Sequence, residues 1–92
     1  MLKMTREMGT EQMLAEFDRR RVVVGSKQLR KALEQGRATY VVLAEDADPA
    51  ITEPIEAICR RQNVRVAWIR SKKELGRHCG IDVAAAAAAA VE

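Results

Sequence analysis

Aromatic residues are scarce in this 92-residue chain: Phe17, Tyr40 and Trp68 are its only rings, and they are widely scattered. A surface that stacks successive bases on aromatic side chains is therefore not expected. Cysteine is equally thin. Cys59 and Cys79 are too few for a disulfide framework or a four-ligand zinc site, so they read as buried, reduced thiols and no metal is expected. The single histidine, His78, has no identifiable partner for a catalytic triad. No apolar run approaches the ~20 residues of a membrane-spanning helix; the longest goes from Val83 to Val91. Charged and polar residues interrupt the N-terminus, Met1-Leu2-Lys3-Met4-Thr5-Arg6-Glu7, where a signal peptide needs a continuous apolar stretch. The expectation is a cytoplasmic protein with no membrane partner.

What is present is enough apolar material for a core: hydrophobic residues make up 48% and charged residues 32%, which argues against wholesale disorder. The length fits one small domain over residues 1–92, with 1–9 a candidate for disorder. Lys plus Arg at 16 against Asp plus Glu at 13 leave a net charge of +3, which permits a polyanionic partner without requiring one.

After Thr10, residues Glu11, Met13, Leu14 and Phe17 fall at helical spacing and predict a short docking helix. Val22-Val23-Val24 and Tyr40 to Ala44 are continuous apolar runs, the pattern of strands covered on both faces. Between them, Ser26 as N-cap and Gly36 as left-handed stop bracket a helix from about Lys27 to Gln35. Its apolar arc is Leu29, Ala32 and Leu33, and its polar arc is Lys27, Gln28, Arg30, Lys31 and Glu34. A second helix is expected to begin near Thr52, which leaves Pro54 in the first turn, and to end at Asn63 before a strand over Val64 to Ile69. Ser71-Lys72-Lys73-Glu74 has the spacing of a capping box and opens a short helix that ends at Gly76. The alanines from Ala84 to Ala90 read as helix by intrinsic propensity alone. Strands alternating with helices predict an α/β fold, a mixed or parallel sheet between helix layers.

Two constellations could carry chemistry. At Val24-Gly25-Ser26-Lys27-Gln28-Leu29-Arg30-Lys31 a strand passes through one glycine into a helix, which presents free N–H groups and the positive end of the helix dipole to an anion. Lys27 and Lys31 share a face there, and Gln28 adds an amide that both donates and accepts, as reading a base edge requires. A solvated, capped helix start explains the same residues. At Leu75-Gly76-Arg77-His78-Cys79-Gly80-Ile81-Asp82-Val83-Ala84-Ala85, glycines bracket a cationic turn and an apolar pair flanks a carboxylate. Ile81 and Val83 either pack against an unstacked nucleotide or fold inward before the last strand. Asp46 and Asp48 read as turn and cap residues rather than an acid–base pair.

At these segments the sequence resembles the kink-turn-binding ribosomal proteins of the L7Ae and L30e type, most closely their small bacterial members. The matching residues are Gly25-Ser26-Lys27-Gln28 through Lys31-Ala32-Leu33, then Ala44-Glu45-Asp46-Ala47-Asp48-Pro49, and Leu75-Gly76 with Cys79-Gly80-Ile81 and Val83-Ala84-Ala85-Ala86. The resemblance implies a three-layer α-β-α sandwich with a mixed four-stranded central sheet, and it makes the alanine tail the fourth strand against its helix propensity.

It also implies a function: a ribosome-associated RNA-binding protein, a ribonucleoprotein component that recognises and stabilises kink-turns. Such motifs pair tandem sheared G·A bases at a sharp bend that opens a guanine edge and extrudes one base. The RNA-binding residues would be Gly25, Ser26, Lys27, Gln28, Lys31, Lys73, Arg77, Ile81, Asp82, Val83 and Ala84. Lys27 and Gln28 stand where many relatives carry Asn and Glu. The partner would be structured RNA, ribosomal RNA or a riboswitch, with the ribosome itself a candidate; no cofactor, no catalytic residue and a monomer are expected. Arg20 and Arg61 are expected to matter little. The alternatives are a ribonucleoprotein component acting mainly through protein contacts, and the substrate-binding module of an RNA-modifying enzyme.

Overall fold

The computed structural model describes residues 21–91. The docking helix expected from Thr10 to Phe17 lies outside the described residues, as does the stretch 1–9. In chain order the elements are β1 (Arg21–Val24), α1 (Ser26–Glu34), β2 (Ala38–Ala44), α2 (Pro49–Gln62), β3 (Arg65–Ile69), α3 (Lys72–His78) and β4 (Ala87–Val91). The strands form one four-stranded sheet in the order β1-β4-β2-β3. β4 is antiparallel to both β1 and β2, and β3 is parallel to β2. Three strands therefore end at one pole of the sheet, the pole at which β4 begins.

Alternation along the strands sorts the core into two layers. Ala87 and Ala89 join Val41 and Leu43 beneath Leu29 and Leu33 of α1 and Ile55 and Cys59 of α2. Ala88 and Ala90 join Tyr40, Val42 and Ala44 beneath Leu75 of α3. This is the α-β-α sandwich. Each fully buried Leu or Ile stabilises it by about 1.5–3 kcal/mol, whereas the alanines add little area and contribute chiefly by letting helices approach. Ala87 to Ala90 are wholly buried between two strands and two helix layers, so ladder bonds and close packing override alanine's preference for helix.

Helix boundaries depart from the sequence reading in three places, each for a local reason. α1 is capped by Gly25, not Ser26: Gly25 sits at φ 101°, ψ 144°, and no side chain caps the first turn. α2 begins at Pro49 rather than near Thr52, because Asp48 accepts the Ala50 N–H through Oδ1 at 2.9 Å and Pro49 is already set for a helix. Pro54 then lies inside the helix on its exposed side. α3 opens as expected, with Ser71 Oγ accepting the Glu74 N–H at 3.1 Å, but it runs past Gly76 to His78. Its stop is Gly80 at φ 77°. There the N–H groups of Gly80 and Ile81 donate to the carbonyls of Arg77 and Gly76, a Schellman turn. α1 ends in the same way at Gly36, with the N–H groups of Gly36 and Arg37 donating to Leu33 and Ala32. α2 ends on Asn63 in the left-handed conformation.

Candidate nucleic-acid interface

The junction of β1 with α1 is joined directly to the junction of the loop with β4. The N–H of Gly25 donates to the Ala87 carbonyl at 2.9 Å, extending the β1–β4 ladder past its last pair, Val24 with Ala88. The residues before Ala87 and those after Gly25 therefore leave the sheet side by side at the same pole. This corrects one detail of the sequence reading: the Gly25 N–H is committed to the sheet and is not a donor for phosphate. The first intrahelical bond is Leu29 N–H to Gly25 O at 3.0 Å. The N–H groups of Ser26, Lys27 and Gln28 thus precede any acceptor within the helix, beside the positive end of its dipole.

Lys27, Gln28 and Lys31 are exposed while Leu29, Ala32 and Leu33 are buried. The apolar arc fixes the rotation of α1, and that rotation turns the polar arc outward. An open groove of about 480 Å³ is lined by Ser26, Lys27, Arg30, Lys31 and Glu34. A smaller one of about 250 Å³, lined by Gln28 and Arg37 among others, shares Lys31 with it. Arg30 was not among the residues expected at the site, although its i+3 spacing from Lys27 on the same arc was a readable signal.

The loop Ile81–Ala86 has no regular structure and is pinned by its backbone. The Ile81 N–H donates to Gly76 O at 3.0 Å, the Ala85 N–H to Lys72 O at 3.0 Å, and the Ala44 N–H to Ala86 O at 3.0 Å. Lys72 is held in turn by Asp46, whose Oδ1 accepts its N–H at 2.8 Å. Asp46 and Asp48 thus serve caps, one for α3 and one for α2. Gly76 is buried, and a Cβ there would fall on the carbonyl of Val83. The glycine lets the chain's own loop, rather than a ligand, come close.

Of the apolar pair, Ile81 packs against the core layer under α3, whereas Val83 is 66% exposed, the only exposed large hydrophobic among the described residues. Asp82 and Ala84 are also exposed. Lys73 and Arg77 stand one turn apart on the exposed side of α3, on the sheet face opposite α1. They share with the α1 opening only the pole at which α3 begins.

Cys59 is buried in the layer under α1 and α2, and Cys79 packs with Ile81 against the layer under α3. Burial, with the Glu56 carboxylate adding to it, pushes the Cys59 thiol up to about 11, and burial alone does the same for Cys79. Neither is a thiolate near neutral pH, so neither is a ready nucleophile. No described helix is long and apolar enough to cross a membrane.

An α-β-α sandwich with a mixed four-stranded sheet and a cationic helix opening at one pole defines a small α/β class. The chain belongs to the ribosomal protein L7Ae/L30e/S12e/Gadd45 family, whose sequence pattern matches residues 9–92. It is 46% identical over 69 residues to the RNA-binding protein YbxF of Geobacillus stearothermophilus, covering 75% of this chain and 84% of YbxF. To an RNA-binding protein of Halalkalibacterium halodurans it is 43% identical over 68 residues, covering 74% of this chain and 83% of that one. Among solved structures, the Giardia lamblia 15.5kD RNA binding protein superposes with a TM-score of 0.73 at 30% identity, over 77% of this chain and 60% of that chain. This chain therefore spans about three-fifths of the Giardia protein. These relatives are RNA-binding proteins.

Proposed function

We propose that this chain binds structured RNA and recognises kink-turns, with the α1 opening and the Ile81–Ala84 loop as the two sides of one contact surface. The observation that carries this reading is the Gly25 N–H to Ala87 O bond, which ties the start of α1 to the strand that the loop leads into. Family membership supports RNA as the ligand. The bend of a kink-turn supports the mode: ordinary A-form helices bury their base edges in a deep, narrow groove, and a kink opens a guanine edge to a helix end.

In this mode Lys27 and Lys31 meet the guanine edge and adjoining phosphates, with Ser26, Lys27 and Gln28 supplying backbone N–H groups. The Gln28 amide adds base discrimination because it can both donate and accept. Val83 and Ala84 cover the extruded nucleotide, Ile81 anchors that loop from below, and the exposed Asp82 carboxylate accepts from base amino groups. Lys73 and Arg77 reach flanking phosphates. Since the straight RNA conformer lacks the complementary surface, binding shifts the population toward the bent one.

A mobility-shift titration tests the reading, using one kink-turn RNA and the same RNA with its G·A pairs disrupted. Preference for the intact motif by tenfold or more, corresponding to about 1.4 kcal/mol, is expected. Equal affinity for both would leave RNA binding without kink-turn recognition. Ribosome association belongs to the same proposal, and cosedimentation with ribosomes that Lys27→Ala weakens is its expected sign.

A further inference from the structure

The opposite pole of the sheet, where β1, β2 and β3 begin, carries Arg21, Arg37, Arg60, Arg61 and Arg65, all exposed. The ladders bring them together. Arg21 pairs with Val91, Val91 also pairs with Ala38 beside Arg37, and Tyr40 pairs with Arg65. Arg60 and Arg61 close the last turn of α2, and the Val64 N–H bond to Cys59 O ties that turn to the start of β3. From β1 to β3 is three strand spacings, so the arginines span roughly 14 Å of sheet edge. Helix-dipole complementarity accounts for Arg60 and Arg61, and for Arg37 just past the end of α1, but not for Arg21 and Arg65, which open strands. Arg60 pairs with Glu56 at 3.8 Å in a solvent-exposed contact, which holds little of that guanidinium's charge, and Arg37 Nη1 donates to Gln35 Oε1 at 3.4 Å.

We propose that this arginine pole is a second RNA-contact surface, one that takes the phosphate backbone of a double helix without reading its sequence. Guanidinium groups bind phosphate bidentately. A protein partner would call for an apolar anchor; the exposed large hydrophobic of the described residues, Val83, stands at the other pole. The helix it takes is either the stem continuing from the recognised motif or a separate one. The smaller groove, which runs from Gln28 past Lys31 to Arg37, joins the two surfaces along α1. This proposal rests on the RNA-binding reading but not on kink-turn recognition.

The test is fluorescence anisotropy with a labelled plain RNA duplex and the variant Arg21→Gln/Arg61→Gln, which spares the paired Arg60, spares Arg65, and spares Arg37 because it lines the smaller groove beside Lys31. Wild type and Lys27→Ala/Lys31→Ala should both bind the duplex. The arginine variant should bind it at least about tenfold more weakly, with a salt slope shallower by roughly 2 for the phosphates lost, at an unchanged thermal midpoint. Its affinity for a short-stemmed kink-turn should be unchanged. Lengthening that stem, or adding the labelled duplex to protein saturated with the short-stemmed RNA, separates the two sources, and a gain in either arm that the arginine variant abolishes supports the pole. Wild-type duplex binding by the arginine variant would overturn the proposal, as would a polyglutamate peptide binding as tightly as the duplex. Failure of the kink-turn reading would instead appear as equal affinity for intact and disrupted motifs, with the duplex arm unaffected.

Discussion

Lys27, Gln28 and Lys31 project from a regular helix whose inner arc is sealed into the core, whereas Ile81 to Ala86 follow no regular pattern and hang on backbone hydrogen bonds to α3 and β2. On the helix, shape comes from buried residues and chemistry from exposed ones, so the two can be altered separately. In the loop the pins are backbone bonds at Ile81, Ala85 and Ala86, which bracket the exposed Asp82, Val83 and Ala84, so the shape of the surface depends on how closely α3 lets the chain approach.

Gly76→Ala should break that contrast most forcefully. Alanine ordinarily stabilises a helix interior by about 1 kcal/mol relative to glycine. Here the added Cβ meets the Val83 carbonyl, and relieving that overlap costs about 1–3 kcal/mol and displaces the loop. Urea unfolding should show a net loss of stability, with weaker binding of kink-turn RNA; a variant as stable as the parent would mean the loop is not held this way. Lys27→Ala and Lys31→Ala should do the reverse, each weakening kink-turn binding by about 1–3 kcal/mol while the urea midpoint stays put. Unchanged affinity in both would remove α1 from the interface. The smallest effect is expected for Val83→Ser. Its exposure predicts no more than about 0.5 kcal/mol in stability, against a loss of about 1 kcal/mol or less in affinity if a nucleotide covers it.

The same contrast explains what could be read from the residues alone. The arcs of α1 were legible because a 3.6-residue period reports directly on burial, and Gly36 and Asn63 were legible as stops because they accept left-handed backbone. Gly76 and Gly80 look alike in sequence. Only the packing of the loop shows that Gly80 ends α3 while Gly76 stays within it to clear Val83. Pro54 misled in a similar way, since proline's local preference for a first turn gave way to the Asp48 cap and Pro49 upstream. The strand character of β4 came from family resemblance; periodicity is blank in a run of one residue type, and propensity pointed to helix. The commitment of the Gly25 N–H to Ala87 depends on a ladder between residues far apart in the chain, which no local signal announces.

Because β4 lies between β1 and β2, those two strands have no shared neighbour until Ala87–Val91 arrives. It is the last of these elements to be synthesised. During translation α1 can form, yet Gly25 has nothing to donate to and the loop has no rail to follow, so the pairing that closes the sheet waits on distant contacts. A nascent chain shorter than this strand carries the lysines without the cleft they help to build. Capacity for the proposed RNA contact should consequently depend on Ala87–Val91 being paired with both neighbours.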